Sequence, residues 1–125
     1  MNNQNGLSLL ETLISMVILA IGILGLAPMV VLSIDGNNIS QDILAVTTLA
    51  KEKMELYEGI NVMPATPYTQ TEYGLSGMYD VTTTIRDNAS DSTVPVGIYQ
   101  VDIYISWTDK GGMPRSTSYS TLVSE

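Results

Sequence analysis

Residues 5–34 read NGLSLLETLISMVILAIGILGLAPMVVLSI, and this stretch decides the architecture. From Thr12 to Ile34 it holds 23 residues without a charge, rich in Leu, Ile, Val and Met. At about 1.5 Å of rise per residue such a run makes a helix of roughly 34 Å, enough to cross the hydrocarbon core of a bilayer. A helix apolar on every face can be the core of a soluble domain only if apolar partners surround it. The ~90 residues that follow, many of them Ser and Thr, cannot supply that enclosure. A secretory signal peptide has a basic start, an apolar run of about 7 to 15 residues and a small-residue cleavage site. Here the run is longer, MNNQNG carries no charge, and no clean A-x-A site follows Ile34. The block therefore reads as a membrane-spanning helix that stays in the mature chain.

Outside the block the chain changes character. Glu11 is the one charged residue among the first 34, although the 125 residues hold 13 acidic and 5 basic side chains and a net charge of −8. With so few Lys and Arg to neutralise phosphates, nucleic acid is not an expected partner. Cysteine and histidine are both absent. That excludes disulfides, thiolate chemistry and Cys- or His-based metal sites, and it removes the commonest general base. No acid pair, activated nucleophile or glycine-rich phosphate loop stands out. The chain is read as a non-enzyme with no cofactor, no metal and no small-molecule substrate.

Two features of the apolar block need a reason. A carboxylate near hydrocarbon costs on the order of a few kcal/mol at depth, so Glu11 either serves a purpose or lies at the headgroup boundary. Gly22, Gly25 and Pro28 are clustered. Pro28 has no N–H, and its ring clashes with the carbonyl of Leu24. Each glycine weakens a helix by up to about 1 kcal/mol relative to Ala. A weak or kinked stretch from Ile21 to Pro28 is expected, although membrane helices also tolerate both residue types.

The run Asn5-Gly6-Leu7-Ser8-Leu9-Leu10-Glu11-Thr12-Leu13-Ile14 resembles the start of a type IV prepilin. That family has a short polar leader ending in Gly, an apolar residue, Ser or Thr, and Glu four places after the apolar residue. The resemblance implies a leader, residues 1–6, cut between Gly6 and Leu7 by a prepilin peptidase on the cytoplasmic face. It implies N-methylation of Leu7. It also implies that Glu11 neutralises the new amine of Leu7 when subunits pack, and that Gly22, Gly25 and Pro28 mark where the helix yields during assembly. Pro28 falls where many pilins carry a helix-distorting proline. One departure stands out: such leaders usually carry Lys or Arg, and MNNQNG has neither. Orientation by the positive-inside rule must then lean on Asp35 and Asp42 on the far side.

After Ile34, Asp35-Gly36-Asn37-Asn38 reads as a helix break or turn, with Ser40 as the N-cap of a new helix. In ISQDILAVTTLAKEKMELYEGI, residues 39–60, Ile39, Ile43, Val46, Ala50, Met54 and Tyr57 recur at steps of three and four and define one helical face. Lys51, Glu52, Lys53, Glu55 and Glu58 are assigned to the solvated back. Gly59 and Pro64 are expected to stop the helix. The region 7–59 forms one long helix or two in line.

Residues 60–77 hold Pro64, Pro67, Gly74 and Gly77 among polar residues and read as a loop. Three strands are predicted from alternation, near residues 79–86, 99–107 and 116–123. Short links favour an antiparallel meander laid on the apolar face of the helix. The fold class is α+β: a hydrophobic helix 7–34, an amphipathic helix 35–60 and a small antiparallel β domain 61–125. Asp87, Asn88, Ser90 and Asp91 could offer oxygens to Ca²⁺, but their spacing is not that of an EF-hand and a polar turn is the better reading. The Asn38-Ile39-Ser40 and Asn88-Ala89-Ser90 triplets read as chance glycosylation matches.

Leu49-Ala50-Lys51-Glu52-Lys53-Met54-Glu55 resembles the corresponding segment of PilV-type (type IV pilus modification) minor pilins. The run Val101-Asp102-Ile103-Tyr104-Ile105-Ser106-Trp107-Thr108-Asp109, then Gly111-Gly112, resembles their C-terminus. Trp107 is read as a core tryptophan at a sheet edge. The resemblance implies a structural subunit, a minor pilin, held in the inner membrane by a single span and later part of a surface filament. Its partners would be other pilin subunits, the prepilin peptidase and the membrane. A type II secretion pseudopilin, a membrane-anchored adhesion module and an uncleaved single-pass membrane protein remain alternatives.

Overall fold

The computed structural model describes residues 4–124, with side chains from Ser8 onward. Of the expected leader, residues 1–3 lie outside the described residues, and so do the side chains of Gly6 and Leu7. The elements are α1 (Gln4–Glu58), β1 (Tyr68–Leu75), β2 (Tyr79–Arg86), β3 (Ile98–Thr108) and β4 (Pro114–Ser124). The chain divides into two compact units after Asn38.

The first unit is bare helix. Every large apolar side chain from Leu9 to Ile34 is more than half exposed. Two of its hydroxyls are satisfied within the helix: Thr12 Oγ1 donates to the carbonyl of Ser8 and Ser15 Oγ to that of Glu11, both at 2.8 Å. That internal pairing suits hydrocarbon surroundings, where no water would serve the hydroxyls. Helical structure runs through Gly22, Gly25 and Pro28 without interruption.

The expected break at residues 35–38 is absent, and Ser40 lies inside α1 instead of capping a new helix. Asp, Gly and Asn each cost at most about 1 kcal/mol against Ala in a helix interior. Once the helix is nucleated on both sides, propagation carries it through four such residues. The tetrad marks where the sheet-bearing unit begins, not where the helix ends. The end comes where expected: Gly59 N–H donates to the Glu55 carbonyl at 3.1 Å and closes the last turn.

The second unit is a four-stranded antiparallel meander, β1-β2-β3-β4, with the C-terminal part of α1 packed on one face. The alternation predicted for β2 and β3 is realised. Val81 faces Ile105, Thr83 faces Ile103 and Ile85 faces Val101 across the β2–β3 ladder. These six side chains are buried together with Val46, Ala50 and Tyr57 of the helix. Burying an Ile or Val completely contributes about 1.5–3 kcal/mol, so this layer is what holds helix to sheet. Thr83, the one polar member, is hydrogen-bonded to Tyr57, which removes the cost of an unpaired hydroxyl.

Three expectations are corrected. β1 lies inside the segment read as a loop. Its sequence, YTQTEYGL, lacks apolar alternation because it is an edge strand with half of its surface in water. It is held by backbone pairing to β2 and ends in an irregularity between Glu72 and Leu75. The turn that follows needs a left-handed backbone at Gly77 (φ 85°), and its N–H donates to the Gly74 carbonyl at 2.9 Å. Second, Lys53 is not on the solvated back. It is three residues after Ala50 and four before Tyr57, hence on the buried stripe, and its side chain is 16% exposed. Third, Trp107 sits near the end of an interior strand, not at the sheet edge. It is half-buried, its ring centroid 6.1 Å from that of Tyr79.

Candidate functional site

The residues singled out at the N-terminus all fall on α1. Gly6 and Leu7 lie within its first turns. Glu11 is exposed, and among the described residues no side chain pairs with it. The carboxylate is therefore available to a group from outside the described chain. A Cβ built on Gly22 or Gly25 would meet nothing within 4 Å. In the lone chain these positions accept a larger residue, so any steric need for glycine there arises only against a neighbour. An 18-residue window of α1 reaches a mean hydropathy of 2.7, with none of it buried. Length and composition fit a membrane span, and the same bare surface fits a bundle of like helices.

In the sheet domain the charged groups serve structure. Arg86 bridges Asp91, at 2.9 Å, and Asp102. The hydrogen bond that Arg86 donates to Asp102 raises the guanidinium above its ordinary range. Burial pushes the Asp102 carboxyl up, but hydrogen bonds from Gln100, Arg86 and Ser120 outweigh it and hold the group below the usual carboxylate range. Asp91 is lowered chiefly by Thr93, whose hydroxyl and N–H both donate to it. Asp87 accepts from Ser90 N–H, and Asn88 donates to the Val94 carbonyl. The segment 87–91 is thus the polar turn expected of it, its oxygens engaged by local donors.

The β3–β4 hairpin is organised by Asp109. Its carboxylate accepts from Gly111 and Met113 N–H, each at 2.9 Å, and from Arg115 Nε at 3.0 Å. These donors depress its pKa, the Met113 N–H most of all. Close by, Ile39, Asp42, Ile43, Trp107, Asp109, Arg115, Ser116 and Thr117 line an open notch of about 270 Å³. Asp42 is hydrogen-bonded to Tyr79, whose hydroxyl pKa is raised by burial and then by that carboxylate. The indole nitrogen of Trp107 is buried without an acceptor among the described residues. Among those residues no group of three or more acidic side chains stands close enough to hold a metal ion.

Sequence reasoning missed the Lys53–Glu72 pair, in which Nζ donates to both carboxylate oxygens at 2.6 and 2.8 Å. The signal was present, since the spacing Val46, Ala50, Lys53, Tyr57 is that of a single stripe. It also missed that Ile39 and Ile43 stay exposed.

Residues 1–27 match the family model described as the prokaryotic N-terminal methylation motif. The chain therefore carries a prepilin-type N-terminus, the mark of type IV pilin-like proteins and pseudopilins. No curated protein and no solved structure matches the chain significantly.

Proposed function

We propose that the chain is a minor pilin: a structural, non-enzymatic subunit of a type IV pilus or related filament. It would be cut between Gly6 and Leu7, methylated at Leu7, and held in the inner membrane before assembly. The observation that carries this reading is the methylation motif running directly into a wholly unburied apolar helix that leads to a folded α+β domain. Cleavage leaves a cationic amine at Leu7, and once the helix leaves lipid for a packed bundle that charge needs a counter-charge. Glu11 supplies one, from an adjacent subunit or from its own chain while the helix resides in the membrane. Removing one partner of such a shielded pair costs about 3–5 kcal/mol.

N-terminal sequencing of the chain from cells with the peptidase tests the processing: methylated Leu7 as the first residue is expected, and Met1 contradicts it. The variant Glu11→Ala is expected to insert in the membrane normally but to enter filaments poorly, as read by comparing the sheared surface fraction with the membrane fraction. Wild-type incorporation counts against the pairing. Loss of a secreted enzyme in a deletion strain that still makes pili would move the chain to the pseudopilin class.

A further inference from the structure

The apolar stripe of α1 outruns the sheet that covers it. Val46, Ala50 and Tyr57 are buried, whereas Ile39 and Ile43, in line with them, are 44% and 54% exposed. Both line the notch with Trp107 and Thr117. Its charged side chains have partners within the domain, Asp109 with Arg115 and Asp42 with the Tyr79 hydroxyl. Beside these charged groups and the hydroxyls of Ser116 and Thr117, the notch offers a visitor the hydrocarbon of Ile39 and Ile43 and the ring of Trp107.

We propose that this notch receives the apolar helix of a second copy of the chain, through a turn within residues 23–34. The proposal rests on the assembly role argued above and names a contact within it. The choice of occupant follows from the molecule. From Thr12 to Ile34 the helix has no charge, so nothing in it would be stranded against the notch. Its Ile, Leu and Val side chains are bare, and outside lipid they need cover as much as Ile39 and Ile43 do. Ile39 and Ile43 form an i, i+4 ridge. Leu26, Val30 and Ile34, all more than half exposed, form a second ridge of the same i, i+4 kind, and two such ridges interdigitate when helices cross.

The chain has no cysteine and a single tryptophan, which lies in the notch, so two clean probes are available. Full-length copies carrying Ile43→Cys are co-expressed with copies carrying Cys at Ile23, Leu26, Val30 or Ile34, and the cells are oxidised. At least one of these pairs is expected to form a disulfide-linked dimer. Leu122→Cys, on the opposite face of the sheet, is expected to give none with the same partners. Ile18→Cys in both copies reports helix-to-helix assembly independently. A dimer through Ile18 with none through Ile43 overturns the notch contact and leaves the filament reading standing, while absence of both overturns both. In the second probe, Trp107 emission is expected to shift to the blue between detergent-dispersed and assembled wild-type chains. Identical emission in the two states also overturns the proposal.

Discussion

Lys53 is the residue on which helix and edge strand depend together, and its removal has a calculable cost. Its side chain is 16% exposed and that of Glu72 32% exposed, with both carboxylate oxygens within hydrogen-bond distance of the ammonium. Exposed ion pairs contribute about 0.2–1 kcal/mol, because water screens them. Breaking a buried pair by deleting one member costs about 3–5 kcal/mol, because the survivor is left desolvated. This pair sits between those limits, so Lys53→Met, which keeps most of the apolar stem, should destabilise the domain by about 1–3 kcal/mol. Glu72→Gln should cost a similar amount. The double variant should cost less than the two singles combined, with a coupling energy of about 1–2 kcal/mol. Urea unfolding of the full chain in detergent micelles, followed by the emission of Trp107, measures all four proteins. A coupling energy within about 0.5 kcal/mol of zero would show that water reaches the pair and that β1 is held by its ladder alone.

Three further outcomes are expected. Ile103→Ala, at a fully buried position in the centre of β3, should cost about 2–5 kcal/mol in the same assay, and a loss below about 1 kcal/mol would mean the site is not enclosed. Asp91, Asp102 and Asp109 are held below the ordinary value of 3.8 in the folded chain. The unfolded chain therefore binds protons first as the solution is acidified. Thermal stability should be level from neutral pH to about 5 and fall as the pH drops further, and a gain in stability over that acid range would contradict these contacts. Replacing Gly22, Gly25 and Pro28 together by Ala should stiffen the apolar helix and reduce the yield of assembled filaments relative to membrane-inserted chain. Wild-type yield would remove these residues from any part in assembly.

How much was legible in advance depends on the range of the forces involved. The apolar helix, the stripe at Val46, Ala50 and Tyr57, the stop at Gly59 and the alternation of β2 and β3 were all readable. In each case a residue's partition between water and hydrocarbon is written in its own type and its spacing from near neighbours. The methylation motif over residues 1–27 was readable for a related reason: such a signal lies at fixed offsets on one short segment. β1 was not readable, since an edge strand is stabilised by the ladder it joins and needs no apolar pattern of its own. Lys53 looked solvated because its partner, Glu72, lies 19 residues away on a strand that local pattern did not announce.

By itself, then, the amino-acid order determined that a bare, uncharged helix leads into an α+β domain with a prepilin-type start. Composition and period suffice for the helix and the domain, and the resemblance of one short motif for the start. Only the tertiary structure decided that α1 passes unbroken through Asp35-Gly36-Asn37-Asn38, that a fourth strand closes the meander, and that the sheet stops short of Ile39 and Ile43. Those outcomes turn on where distant segments meet, and the free energy that settles them belongs to the contact and not to either residue alone.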